Sequence, residues 1–377
     1  MIKVYKYRIY PKRSQETLLN QQLEEMRWLY NHFLAERKNS YEQTGKAPGL
    51  YDQIKTLPAL KISRPSLTLC NAQTLQNVAV RVDLAFQAYF RRVRAGEKPG
   101  YPRFKGYGRY DSLTFPQAES SCEVKNGKLK VSKVGNVAIK LHRPIEGQVK
   151  TATLLRASTG KWYVCFSVEL EPHVLPANPK QVGIDVGLKT FATLSDGTEI
   201  ANPRFFRKEE KALAKAQRKL AKAEKGTSVR KKRRKVVARV HERIGFKRSD
   251  FSHQQSRKIV KQYGLIVVED LQVNRMVHNH CLAKSISDAA WSGFFSMLRS
   301  KAAEAGYVCI AVNPAYTSQT CSSCGHRLLA KLTLAARIFD CPCCELVIDR
   351  DHNAALNILA LGLQGLGVSP LDAVCFS

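Results

Sequence analysis

Apolar and polar positions change period along the chain, and each change marks an element. Ile2–Tyr10 is dense in β-branched and aromatic residues and reads as a strand stopped by Pro11. After Ser14, a helix-capping residue, Leu19, Leu23, Met26, Tyr30 and Phe33 recur at spacings of four and three. One face of that helix is therefore a packing face. A second helix is predicted from Ser66 to Val93, with Leu75, Val78, Val82, Leu84, Phe86, Tyr89 and Phe90 apolar. The period then falls to two. Between Ser112 and Leu170, Val137, Ile139 and Leu141 alternate with other residues, and Trp162, Val164, Phe166, Val168 and Leu170 do so without a break. Half-buried antiparallel strands have this pattern. The N-terminal strand is expected to join their sheet, leaving the helices as an insertion. Glu171–Gln181, with three prolines, reads as a linker.

Past the linker the apolar runs end in acids. Val182–Gly197 reads V-G-I-D-V-G-L-K-T-F-A-T-L-S-D-G, a buried-type strand carrying Asp185 and a second strand closed by the S-D-G turn. Tyr263–Leu271 repeats the device, with Glu269 at the end of Y-G-L-I-V-V-E-D-L. Further on, Asp349 and Asp351 open an Ala/Leu/Asn run with helical character. Those two can cap a helix and complement its dipole. Acids in buried strands have no such use and are costly unless paired or metal-bound. Carboxylates that converge repel one another, so a site joining Asp185, Glu269 and Asp349 or Asp351 requires divalent cations.

Cysteine spacing points to a second metal. Cys321 and Cys324 form one C-x2-C pair, Cys341 and Cys344 another, with sixteen residues between them. This is the spacing of a zinc ribbon, in which four thiolates surround one Zn²⁺. Cys343 is an alternative ligand to Cys344 or Cys341. Glu345 stands where such a knuckle often has Gly, so a strained or altered turn is expected there.

Charge then names the partner class. Lys+Arg 61 against Asp+Glu 31 gives a net charge of +30 over 377 residues, an excess that a polyanion explains and a fold does not need. No apolar run approaches a membrane span, and Met1–Pro11 is basic and aromatic rather than a secretory leader. Eleven cysteines without such a leader, four in metal spacing, suggest a reducing cytoplasm. The excess is concentrated in Pro203–Asp250, where nineteen Lys/Arg meet five Asp/Glu. There Leu213, Ala216 and Leu220 make a helical stripe, and Arg230, Lys231, Lys232, Arg233, Arg234 and Lys235 form an unbroken basic run. The signs do not alternate, so repulsion persists until an anion arrives. A helical hairpin that tracks phosphates is expected. In Arg91–Tyr110, Arg91, Arg92, Arg94, Arg103, Lys105 and Arg109 interleave with Tyr101, Phe104, Tyr107 and Tyr110, a mixture suited to phosphate contact and base stacking. Asn71, Gln73, Gln76 and Asn77 either read base edges or sit on a solvated helix face.

Taken together, these stretches resemble the TnpB family, RNA-guided nucleases of insertion sequences related to type V CRISPR effectors. The resemblance spans essentially the whole chain. It rests on Y-R-I-Y-P-K (Tyr7–Lys12), Y-P-R-F-K (Tyr101–Lys105), G-I-D-V-G (Gly183–Gly187), V-V-E-D-L (Val267–Leu271), T-S-Q-T-C-S-S-C-G (Thr317–Gly325) and D-R-D-H-N-A-A-L-N-I (Asp349–Ile358). It implies an α+β multidomain protein. A wedge β-barrel would occupy residues 1–10 and 111–180, with a helical recognition lobe inserted at 11–110. A ribonuclease-H-like RuvC nuclease domain would follow at 181–315 and 349–362, with a zinc-ribbon target-nucleic-acid-binding module at 316–348 and a tail at 363–377. The catalytic acids it implies are Asp185, Glu269 and Asp351, holding two Mg²⁺, and the cysteines hold one structural Zn²⁺. Expected partners are a guide RNA from the element's right end and target double-stranded DNA, bound by a monomer in the cytoplasm of a bacterium or archaeon, with no membrane. The short target-adjacent motif would be sensed by the Ser66–Val93 helix and neighbouring loops, Thr114 among them. A nuclease-inactive RNA-guided repressor predicts a broken acid set, and every acid is present here. A strand transferase acting in transposition is the other class with this kind of acidic fold.

Overall fold

The computed structural model describes residues 1–329, 332 and 336–367. The chain divides after Glu171 into two compact units, each with its own sheet.

The first unit runs β1 (Ile2–Tyr10), α1 (Arg13–Thr44), α2 (Leu50–Lys55), α3 (Leu57–Ser63), a 3-10 turn (Pro65–Leu69), α4 (Ala72–Arg94), β2 (Ser112–Phe115), α5 (Ala118–Ser121), β3 (Cys122–Lys125), β4 (Lys128–Val131), β5 (Gly135–Lys140), β6 (Gln148–Arg156) and β7 (Trp162–Glu169). The strands form one antiparallel sheet in the order β2-β6-β7-β1-β5-β4-β3. β1 lies in its middle, paired from Ile2↔Glu169 to Ile9↔Trp162 with β7 and through Arg8↔Lys140 with β5. The alternation read in β7 is alternation of burial: Trp162, Val164, Phe166 and Val168 are in the core and the residues between are not. The hydrogen-bonded ladder stops at edge strands β2 and β3, so the sheet is nearly closed rather than a full barrel.

Two helix expectations need correction. Ser14 does not cap α1; the helix begins at Arg13, and Gln15 Oε1 accepts the Lys12 backbone N–H at 3.0 Å. The second predicted helix is interrupted at Cys70 and Asn71. Asn71 Oδ1 accepts the Gln73 N–H at 2.9 Å, so the side chain starts a new helix there and separates the 3-10 turn from α4.

The second unit comprises β8 (Gln181–Val186), β9 (Thr190–Leu194), β10 (Glu199–Ala201), α6 (Phe205–Ala221), α7 (Ser228–Gln262), β11 (Leu265–Glu269), α8 (Val273–Met276), α9 (Ala283–Ala289), α10 (Trp291–Ala305), β12 (Val308–Val312), β13 (Ile338–Asp340), β14 (Val347–Asp349) and α11 (Arg350–Gly365). Its main sheet has the order β10-β9-β8-β11-β12, antiparallel from β10 to β8 and parallel from β8 to β12. Period two sorts the central strands. Val182, Ile184, Ile266 and Val268 pack in one core with Ile259, Phe294 and Leu298. Gly183 and Val267 take the other face, where a Cβ on Gly183 would collide with the backbone of Ala355 and one on Gly362 with Val267. Glycine at 183 and 362 therefore lets α11 lie directly on β8 and β11. The next residues on that face are Asp185 and Glu269.

Candidate active site and metal centre

Strand register brings the first two acids together. Val268 pairs with Ile184, and one residue further Asp185 and Glu269 stand at the carboxyl ends of neighbouring parallel strands. Sites in open α/β sheets form at that end. Because α11 lies across the same face, its first turn delivers Asp351 to the same cavity, which measures about 540 Å³. Asp185, Glu269 and Asp351 all line it.

The aspartate pair of D-R-D divides its roles by geometry. Asp349 Oδ1 accepts the backbone N–H groups of Asp351 and His352, at 2.9 and 3.0 Å, so Asp349 caps α11. Asp351 faces the cavity and is met by two guanidinium groups, Arg350 Nη2 at 3.1 Å and Arg337 Nη1 at 3.5 Å. Glu269 is 7 % exposed and accepts a 2.8 Å hydrogen bond from the Thr317 hydroxyl.

Electrostatics marks this as a place for cations. Burial, followed by the charges of Glu269 and Asp351, pushes the Asp185 carboxyl well above the usual carboxylate range. Burial raises Glu269 as well, with Thr317 pulling the other way. A pair of adjacent acids, each destabilised in its charged form, suits a divalent ion, which restores both. The three acids do not form a single-ion cage: among the described residues only the four cysteines bring ligand atoms all within 4.8 Å of one another.

Those cysteines are Cys321, Cys324, Cys341 and Cys344. Cys321 Sγ lies 3.6 Å from Cys344 Sγ, and Cys324 Sγ 3.6 Å from Cys341 Sγ. Tetrahedral ligands about 2.3 Å from one zinc stand about 3.8 Å apart, so the set fits a metal ion. Cys343 is exposed and outside the set. The two knuckles are built alike: Gly325 N–H reaches Cys321 O at 3.0 Å, and Glu345 N–H reaches Cys341 O at 3.0 Å. Both turns need a left-handed residue, Gly325 at φ 75° and Glu345 at φ 59°. Glutamate there carries strain of about 1–2 kcal/mol that glycine lacks. Residues 330, 331 and 333–335 of the 316–348 module, and 368–377 of the tail, lie outside the described residues.

Pattern reading missed what joins the two centres. Asn353 is fully buried; its Oδ1 accepts the Ser322 N–H at 2.9 Å and its Nδ2 donates to Thr320 O at 2.8 Å. Asn357 Nδ2 donates to the carbonyls of Thr317 and Thr320. The N-A-A-L-N spacing, i and i+4 on α11, holds the first knuckle beside the acids and positions Thr317 over Glu269. Two asparagines one turn apart in the Ala/Leu-rich run of α11 were the available signal.

The expected nucleic-acid contacts are scattered in kind. In the basic hairpin of α6 and α7, Lys231, Lys232, Arg233, Arg234 and Lys235 are exposed. Arg230 is different: its Nη1 donates to the Leu220 and Ala223 carbonyls and closes the hairpin turn. In the first unit Arg103, Phe104 and Gln76 are exposed, and so is Tyr107. Tyr101 is also exposed while its ring meets Phe86 and Tyr89 edge-on, and Lys105 is gripped through its backbone by Asn31. Tyr110 belongs to the core at 4 % exposure, between the Tyr30 ring and the Arg81 guanidinium, so the loop does not present four aromatics. Asn71 caps α4 and also donates to Ser132, Gln73 bonds Gln117, and Thr114 accepts from Arg81 at 2.7 Å.

Residues 165–280 match a family described as a probable transposase of the OrfB–IS605 type, and residues 291–358 match the Cas12f1-like TNB domain. Residues 1–46 match an OrfB–IS605 helix-turn-helix domain, though here they form a strand and one 32-residue helix. A Streptomyces pristinaespiralis protein named "Putative RNA-guided DNA endonuclease" is 34% identical over 385 residues, covering 98% of this chain and 92% of that one. The chain belongs to the TnpB family. A second relative, the CRISPR-associated endodeoxyribonuclease Cas12f1 of Sulfoacidibacillus thermotolerans, is 26% identical over 95% of this chain and 97% of its own length. The cryo-EM structure of a Cas12f1–sgRNA–target DNA complex shares the fold, with TM-score 0.60 at 15% identity over 95% of this chain and 98% of that one. This TnpB chain thus has a Cas12-like multidomain α+β architecture, and among its described residues no helix is long and apolar enough to cross a membrane.

Proposed function

We propose that this TnpB protein is an RNA-guided DNA endonuclease of an insertion sequence. It binds a guide RNA from the element's right end, recognises a short motif beside the target, and hydrolyses phosphodiester bonds of the guide-matched duplex. The observation that carries the reading is one cavity lined by Asp185, Glu269 and Asp351, in a chain 34% identical to a protein named as such an endonuclease. The strand order β10-β9-β8-β11-β12 supports a ribonuclease-H-like RuvC domain at 181–315 and 349–362. The nearly closed sheet supports a wedge domain at 1–10 and 111–180, with the recognition lobe between them. The chain acts as a monomer within its ribonucleoprotein, in the cytoplasm.

Asp185, Glu269 and Asp351 are the residues that would hold two Mg²⁺. When bound, such ions supply an activated water and charge stabilisation at the leaving 3′ oxygen, which gives 5′-phosphate and 3′-hydroxyl ends. Thr317 fixes one oxygen of Glu269 and so orients the other toward the cavity. Arg337 and Arg350 balance the charge of Asp351, which limits the repulsion among the three acids. Guide pairing chooses the sequence, and the protein reads the adjacent motif. Cys321, Cys324, Cys341 and Cys344 would hold one structural Zn²⁺.

The test is expression with the flanking locus, sequencing of the co-purifying RNA, and incubation of the complex with a duplex matched to that RNA. Cleavage with Mg²⁺, none with EDTA and none by Asp185→Ala is the expected result. Cleavage by the Asp185→Ala complex at the wild-type rate would sink the reading.

A further inference from the structure

Beside the acid cavity lies a second one of about 450 Å³, lined by Leu188, Lys189, Asn202, Arg204, Arg207, Ser285 and Asp288. The two cavities share a wall, because Leu188 and Lys189 line both. Its floor is built. Asn202 Nδ2 donates to Leu188 O at 2.9 Å, and Asn202 Oδ1 accepts the Arg204 N–H at 3.1 Å, so one side chain ties the β8–β9 turn to the start of α6. Arg204 is held at φ 48°, a left-handed conformation that a side chain adopts only under constraint. Asp288, the acid in this cavity, is 8 % exposed and fully engaged: it accepts the Phe206 N–H at 2.9 Å and Arg248 Nη2 at 2.8 Å. It therefore does not neutralise the cations around the opening. Among the described residues Lys189 and Arg204 have no carboxylate partner, and Arg207 has only a 4.0 Å contact with Glu210.

We propose that Lys189, Arg204 and Arg207 form a phosphate subsite that holds a nucleotide adjacent to the scissile bond of the cleaved strand. This rests on the endonuclease reading above. The chemistry selects a phosphodiester: unneutralised donors line a nucleotide-sized space, and that space adjoins the acid cavity with Lys189 in the wall between them. A strand whose scissile phosphate lies at Asp185 and Glu269 would pass its neighbouring phosphate along the Lys189 wall into the Arg204 cradle. The subsite would fix the strand's direction across the acids, which repelling carboxylates alone cannot do.

Guide-matched duplexes with one neutral methylphosphonate, placed in turn at each phosphate flanking the scissile bond, test this under single-turnover conditions. The wild-type ribonucleoprotein should lose about tenfold in rate at one flanking position, the size of a lost charge-assisted contact. Arg204→Gln should cut the unmodified duplex about tenfold more slowly and show no further loss at that position, and Arg204→Lys should recover part of the rate. Lys189→Gln, on an exposed side chain, gives the same comparison if Arg204→Gln does not fold. An equal methylphosphonate penalty in wild type and both variants would overturn the subsite, as would a wild type indifferent to every flanking position. If the wild type cuts no matched duplex with Mg²⁺, the endonuclease reading falls and the subsite with it.

Discussion

The first unit and the acid face of the second treat their polar residues in opposite ways. Around α4, Asn71, Gln73, Asn77 and Thr114 all have partners within the protein: a helix cap, Gln117, Arg81 and again Arg81. Between β8, β11 and α11, the fold brings three acids to one cavity, where the charges of Glu269 and Asp351 still disfavour ionised Asp185 despite Thr317 on Glu269 and two guanidinium groups at Asp351. An amide on a helix has many inexpensive uses, so its presence says little about function. A buried carboxylate facing another has no structural use, so its presence says much.

Breaking that contrast at its strongest point means comparing the two aspartates of D-R-D. Asp351→Ala should lower the rate of guide-matched cleavage by at least about a thousandfold, while guide and target binding persist. Asp349→Ala removes only a cap and should cost about 0.5–2 kcal/mol in thermal stability while leaving most of the rate. The reverse pattern would show that the cap and the cavity residue have been exchanged.

Next in size is the cysteine set. Metal analysis should find about one zinc per chain, lost in the Cys321→Ser, Cys324→Ser double variant, with residues around both knuckles becoming protease-sensitive. Zinc retained in full would remove the assignment.

The basic hairpin sharpens the contrast within one sequence run. Replacing Lys231, Lys232, Arg233 and Arg234 with Gln should flatten the fall of nucleic-acid affinity with salt by up to about four in log–log slope, without lowering the melting temperature. Arg230→Gln should do the opposite, destabilising the turn it closes and changing the slope little. A salt slope unmoved by the fourfold change would mean the run merely faces solvent.

The smallest expected effect is at Asn71. Asn71→Ala should destabilise the protein by about 1 kcal/mol through the lost cap, with target discrimination unchanged. A shift in the preferred target-adjacent motif instead would return Asn71 to the readers of bases.

Elements with strong periodicity were legible without coordinates: β1, the apolar face of α1, the alternation of β7, and the strands carrying Asp185 and Glu269. Each follows from local rules, the spacing of apolar side chains and the cost of burying an acid. The four cysteine positions were legible for the same reason, because ligand spacing within a knuckle is a local matter.

What needed tertiary structure was every choice between two uses of one residue. Asp349 and Asp351 are alike in residue type and only the family resemblance favours Asp351, whereas the placement of α11 over Gly183 turns one toward its own helix end and the other into the cavity. The roles of Arg230, Tyr110 and Asn71 were likewise set by partners up to 80 residues away in the chain, Tyr30 against Tyr110 being the most distant. Asn353, Asn357 and Thr317 gained their places because two strands and one helix converge on a single face. A hydrogen bond depends on a few tenths of an ångström, whereas hydrophobic period survives as a count along the chain.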